Sequence, residues 1–192
     1  MDNVSTYIDG LRSAIDELPR AELSRLGEVL YRAYRDEKAV FTLGNGGSAS
    51  TASHMAADLS KNTIDADTRR FRVFSLNDNQ SLMTALANDL GYEHVFSEQL
   101  RNYVRPGDVL VAISASGNSE NVINAIRYAQ SQSVEVAGIL GFDGGRAAEL
   151  ADLAIVVPSC EYGIVEDVHL IINHILVDHF RRRLAEERAW TV

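Results

Sequence analysis

The residues best placed to do chemistry sit in two short turns of small side chains. Gly44-Asn45-Gly46-Gly47-Ser48 follows the apolar run 39–43, and Ser114-Ala115-Ser116-Gly117-Asn118-Ser119 follows the apolar run 109–113. Each turn opens onto a helix-patterned stretch. A strand that passes through small residues into a helix leaves unpaired backbone N–H groups at the positive end of the helix dipole. That arrangement holds an anion, most often a phosphate. One such turn can also be no more than a tight reversal of the chain. Neither turn carries the G-x-G-x-x-G spacing of a dinucleotide site, since Ala49 stands where the third glycine is needed, and neither ends in the Lys-Ser/Thr of a nucleoside triphosphate loop. The second turn adds the hydroxyls of Ser114, Ser116 and Ser119, enough with the backbone to satisfy several phosphate oxygens without a cation. Two turns of this kind point to a phosphorylated small molecule.

Imidazole and carboxylate groups follow on the helices. His54 and Asp58 are four residues apart beyond the first turn and share a face. Glu166, His169 and His174 lie on the last helix-patterned stretch. Spacing leaves two readings open for them. His54 is either a half-buried histidine bonded to Asp58 or part of an acid–base or metal-ligating set. Glu166 either answers the dipole of its own helix or belongs to that same set.

These groups are positioned by alternating strands and helices. Apolar runs at 39–43, 71–75, 108–113, 134–140 and 152–157 lack alternation, as expected of parallel strands covered on both faces. Helical periodicity occupies 47–60, 79–100 with a break near Gly91, 118–131, 145–150 and 164–188. Residues 3–36 read as a helical pair broken near Pro19, with Ile8, Leu11 and Ile15 forming one stripe and Leu23, Leu26, Val29, Leu30 and Tyr34 the other. The fold class is α/β, a doubly wound five-stranded parallel sheet flanked by helices and preceded by the helical pair. Ligands are then expected at the C-terminal strand ends, where both turns fall. A single domain is expected over 1–192, made of N-terminal helices to 36, an α/β core over 37–160 and a final helix over 161–192. That helix carries Ile164, Val168, Ile171, Ile172, Ile175, Leu176 and Phe180, an apolar surface wide enough to predict helix–helix contacts between copies of the chain.

The 192 residues are 46% hydrophobic and carry a net charge of −9, which argues against a nucleic-acid-binding face. An anionic ligand must therefore be held by local dipoles and hydroxyls. With Cys160 as the only cysteine, no intrachain disulfide can form. The sequence shows neither a leader-like segment nor an apolar run long enough to span a bilayer, so a soluble cytoplasmic protein without membrane contact is expected. Trp190, Val192 and the Arg181-Arg182-Arg183 cluster read as a solvated helix end.

Taken together, Gly44 to Ser48 with His54, then Ala87-Asn88-Asp89, Gly107-Asp108, Ser114 to Ile123, Gly141 to Gly145, Ala151-Asp152, Val157-Pro158 and the last helix through His169 and His174 resemble the sugar isomerase (SIS) family. Within it the sequence is most similar to the phosphoheptose isomerases, over most of residues 1–185. The resemblance implies a flavodoxin-like SIS fold and a homotetramer that isomerises sedoheptulose 7-phosphate to a glycero-manno-heptose 7-phosphate. It implies that Asn45, Gly46, Gly47, Ser48, Asp58, Asn88, Asp89 and Glu166 hold the sugar, and that Ser114, Ala115, Ser116 and Ser119 hold the phosphate. It further implies a divalent metal site, zinc in the family, at His54, Asp58, Glu166 and His174, with Asp58, Glu166 and His174 catalytic. The chain departs from the family pattern twice: Asp58 stands where relatives have Glu, and Glu166 where they have Gln. Either carboxylate could then act as base, and another phosphosugar substrate, for isomerisation or epimerisation, or a noncatalytic phosphosugar-binding role stays open. Glu166 and His174 are separated by about 12 Å of straight helix, so both can serve one ion only if they come from neighbouring subunits.

Overall fold

The computed structural model describes residues 2–64 and 69–189; Trp190 and Val192 lie outside them. Helices α1 (Asp2–Asp16) and α2 (Arg20–Arg35) meet at Pro19, which cannot continue the first helix and stands just ahead of the second. Five strands follow, β1 (Ala39–Gly44), β2 (Arg72–Ser75), β3 (Val109–Ser114), β4 (Glu135–Leu140) and β5 (Leu153–Val156). They are joined by α3 (Gly47–Lys61), α4 (Gln80–Leu90), α5 (Val95–Tyr103), α6 (Glu120–Ser131) and α7 (Gly145–Leu150), and α8 (Tyr162–Ala189) closes the chain. The break expected near Gly91 is real. Gly91 adopts φ +101°, and one 3-10 turn at Tyr92–His94 separates α4 from α5. At the other end of α4, Asn79 Oδ1 accepts from the Leu82 amide at 3.0 Å, satisfying one of the donors exposed where that helix begins.

All strand pairs are parallel, in the order β2-β1-β3-β4-β5. This is the doubly wound sheet expected from the sequence, and the direction in which successive strands are added reverses between β1 and β3. The register pairs Gly44 with Ile113, so the two small-residue turns emerge side by side at that reversal. The sheet separates two cores. Val40, Val109, Val111 and Ile113 face α1, α2, α3 and α8, while Phe41, Leu43, Leu110 and Ala112 face α5, α6 and α7. Fully buried side chains such as Phe96 and Phe180 each contribute about 1.5–3 kcal/mol.

One expectation is corrected. Strand β2 is not covered on both faces: it lies at the sheet edge, with Arg72 and Phe74 exposed. Ile8 and Ile175, on the apolar stripes of α1 and α8, are left 44% and 43% exposed. No helix among the described residues is long and apolar enough to cross a membrane.

One core residue makes stability depend on pH. His169, on the buried face of α8, has both ring nitrogens buried without a hydrogen-bond partner. Burial pushes its pKa down to about 4, against a weaker upward pull from the Leu140 carbonyl, which lies outside hydrogen-bond geometry. The unfolded chain takes up this proton near pH 6.5 and the folded chain only near 4. The stability held by neutral His169 is therefore complete above pH 6.5 and is lost as the pH falls through that window. Denaturant titrations of wild type and His169→Gln should show the difference between them shrinking by about 3 kcal/mol from pH 7 to pH 4.

Candidate active site

The first turn is locked from several sides. Thr42 Oγ1 donates to the Ala52 carbonyl at 2.8 Å, tying β1 to α3. Asn77 brackets Gly44, accepting from its amide at 3.2 Å and donating to its carbonyl at 2.9 Å. A Cβ on Gly44 would collide with the Ser48 backbone, so the chain can fold back only without a side chain there. Gly46 supplies the left-handed φ of +56° that starts α3. Asn45 exchanges two hydrogen bonds with Asn121 of α6, both 2.9 Å, and its Oδ1 also accepts from Tyr92 Oη at 2.9 Å. The Asn45 carbonyl oxygen therefore serves as a structural clasp, and one amide hydrogen is left for a ligand.

The second turn is built as a cradle. Ser114 Oγ accepts from the Gly117 amide at 3.1 Å, and Ser116 Oγ accepts from the Asn118 amide at 3.3 Å. Among the described residues the Ser119 hydroxyl has no protein partner, and no acceptor takes the amides of Ser119, Glu120 or Asn121. These groups stand where α6 begins. Gly117, at φ +62°, presses against the Gly144 carbonyl, and its own carbonyl accepts from the Ala147 amide at 2.9 Å. Arg146 donates to Glu120 at 2.8 Å, and this contact holds the Glu120 carboxyl below its ordinary range.

A third cluster lies farther along α3 and α8. His54 Nε2 stands 3.2 Å and His174 Nε2 3.7 Å from Asp58 Oδ2, with the two imidazole rings edge-on at 5.3 Å. One ligand atom from each of the three lies within 4.8 Å of the others. Two imidazoles and a carboxylate are the donor types that divalent zinc takes, and three protein ligands leave a position for substrate or water. The imidazoles are open, 43% and 55% exposed, whereas Asp58 is 15% exposed. The carboxylate is oriented by two amides: Asn62 donates to Oδ1 at 2.9 Å and Asn173 to Oδ2 at 3.1 Å. Removing such an outer support costs about 10–100-fold in metal affinity. Calorimetric zinc titration of Asn173→Ala should show a loss of that size.

Glu166 is not with this cluster. Its carboxylate lies over Gly47 at the opening of α3, where a Cβ would overlap it. Asn88 and Asp89 are exposed on the last turn of α4 and bonded to each other at 2.8 Å. Ser48 is buried, Gly46 and Gly47 are open to solvent, and Ala115 lies under the cradle. Sequence reasoning passed over Asn62, Asn77, Tyr92, Asn121 and Asn173. Only Asn121 stood inside a recognised motif; Asn62 meets Asp58 four residues away, and Asn77, Tyr92 and Asn173 act across distances that no local pattern reports.

Two small-residue turns side by side at a parallel sheet's reversal point, with a His/Asp cluster on flanking helices, agree with the sequence comparisons. A family described as "SIS domain" matches residues 6–141. Phosphoheptose isomerase from Nitratiruptor is 40% identical over 148 residues, covering 77% of this chain and 79% of that protein. The Mycobacterium tuberculosis phosphoheptose isomerase is 40% identical over 163 residues, 85% of this chain and 83% of its own. The chain belongs to the phosphoheptose isomerase family. The solved structure of the Neisseria gonorrhoeae phosphoheptose isomerase superposes with a TM-score of 0.85 at 31% identity, covering 93% of this chain and 95% of that one.

Proposed function

We propose that this phosphoheptose isomerase homologue converts sedoheptulose 7-phosphate to glycero-manno-heptose 7-phosphate through an enediol. The observation that carries the reading is the cradle at the mouth of α6, where unpaired amides and the Ser119 hydroxyl await an anion in an acidic chain. Phosphate bound there anchors the far end of the sugar, and that binding energy orients the reacting carbons. Asn88 and Asp89, exposed at the end of α4, would bind sugar hydroxyls, as the family resemblance implies. Isomerisation needs a base at carbon and an acid or electrophile at the carbonyl oxygen. His54, Asp58 and His174 would hold a divalent ion such as zinc, whose chemistry is to polarise that oxygen. His174, the more exposed imidazole, is suited to pass protons to and from oxygen.

The reading also takes the protein as a cytoplasmic homotetramer with active sites at subunit interfaces. Exposed Ile175 on α8, beside the catalytic cluster, supports contact there. Specific activity should fall as the protein is diluted until protomers separate, followed by sedimentation; a fully active monomer refutes the shared site. The direct test is incubation with sedoheptulose 7-phosphate, with and without a chelator, and detection of the aldose. The expected result is turnover that the chelator suppresses. No aldose under any metal condition overturns the assignment.

A further inference from the structure

Two carboxylates border this site, and their surroundings divide the work between them. Both oxygens of Asp58 are already engaged, Oδ1 by Asn62 and Oδ2 by Asn173, and Oδ2 also faces the His54 and His174 rings. A carboxylate held in this way is fixed and has little lone-pair capacity left to take a proton from carbon. Glu166 is the opposite case. It is half-buried, and among the described residues it makes no hydrogen bond or ion pair.

Its position is fixed by its neighbours on α8. Val165 fills the space over Gly141, where a Cβ would strike its methyl groups and come within 3.0 Å of the Ala115 carbonyl. Val165 therefore lies against the phosphate cradle. One residue on, the Glu166 carboxylate covers Gly47 in the other turn. Asp167 is drawn away to Tyr7, whose hydroxyl donates to Oδ2 at 2.8 Å. Among the described residues, Glu166 is thus an unengaged carboxylate between the two turns that frame the sugar.

Resting on the isomerase reading above, we infer that Glu166 is the general base for the carbon-bound proton and that Asp58 is an anchored member of the imidazole cluster. The Glu166 carboxylate takes the proton from C1 of the ketose. The C1–H electron pair becomes the C1=C2 bond, and the C2 carbonyl π pair moves onto its oxygen, which takes up a proton. In the second half the O1 hydroxyl gives up its proton, C1=O forms, and C2 recovers the proton from Glu166. The carboxylate ends as it began, so no co-reactant is needed.

The test compares wild type, Glu166→Gln and Glu166→Asp by exchange of carbon-bound hydrogen in deuterated water, by steady-state kinetics and by calorimetric zinc titration. Glu166→Gln should lower kcat and exchange by about 10³-fold, with KM within about threefold and zinc affinity within about twofold of wild type. Glu166→Asp, which keeps a carboxylate one methylene back, should recover at least about tenfold over Glu166→Gln. Exchange in Glu166→Gln above a tenth of wild type, or no recovery in Glu166→Asp, overturns the assignment. So does zinc bound more than tenfold weaker by Glu166→Gln, which makes Glu166 a ligand. If wild-type protein neither interconverts any ketose and aldose phosphate nor exchanges their carbon-bound hydrogen, the isomerase reading falls and takes this inference with it.

Discussion

Gly117→Val should cost the protein its hold on phosphorylated ligands. Gly117 adopts φ +62° with the Gly144 carbonyl where a Cβ would sit, so a side chain there must push the 114–119 turn off the 144–145 turn. Left-handed backbone in a bulky residue costs about 1–3 kcal/mol, and overpacking costs a similar amount. The strained segment is the one that presents the Ser116 and Ser119 hydroxyls and the unpaired α6 amides, so the distortion falls on binding. A loss of about 3 kcal/mol corresponds to roughly a hundredfold in affinity. The KM for the sugar phosphate and the inhibition constant of inorganic phosphate should both rise by at least that factor. If neither moves while the turn is shown to be displaced, phosphate is bound elsewhere.

His174→Ala should show the complementary defect. The ring is 55% exposed and packs edge-on against His54, so its removal leaves no large cavity. Loss of a proton-transferring group lowers turnover by about 10²–10⁴-fold. The cradle is untouched, so inorganic phosphate should inhibit as it does in wild type. A kcat within tenfold of wild type would remove His174 from the chemistry. The pair of variants separates the site into a half that holds and a half that reacts.

Much of this organisation was legible in the sequence because it is local. Apolar runs ending in glycine and serine define strand, turn and helix within about twenty residues, and both turns lie where that pattern put them. Gly91 and Pro19 mark breaks through their backbone chemistry alone. Covering of β2 was not legible, because an apolar run reads the same at the centre of a sheet as at its edge. His54 and Asp58 announced each other through i,i+4 spacing, but His174 joins them only through the packing of α8 on α3. The approach of Glu166 to Gly47 was hidden for the same reason. Its sequence signature is a glycine whose missing side chain is explained by a residue more than a hundred positions away.

The doubly bonded amide pair of Asn45 and Asn121 joins the turn after β1 to the first turn of α6, and the Tyr92 hydroxyl fastens the 3-10 turn beyond α4 to the Asn45 side-chain oxygen. Three segments that must surround a ligand are thereby stitched into a single frame before one arrives. Little backbone freedom is left to freeze on association, so more of the attraction for the phosphate remains to hold the reacting carbons in place.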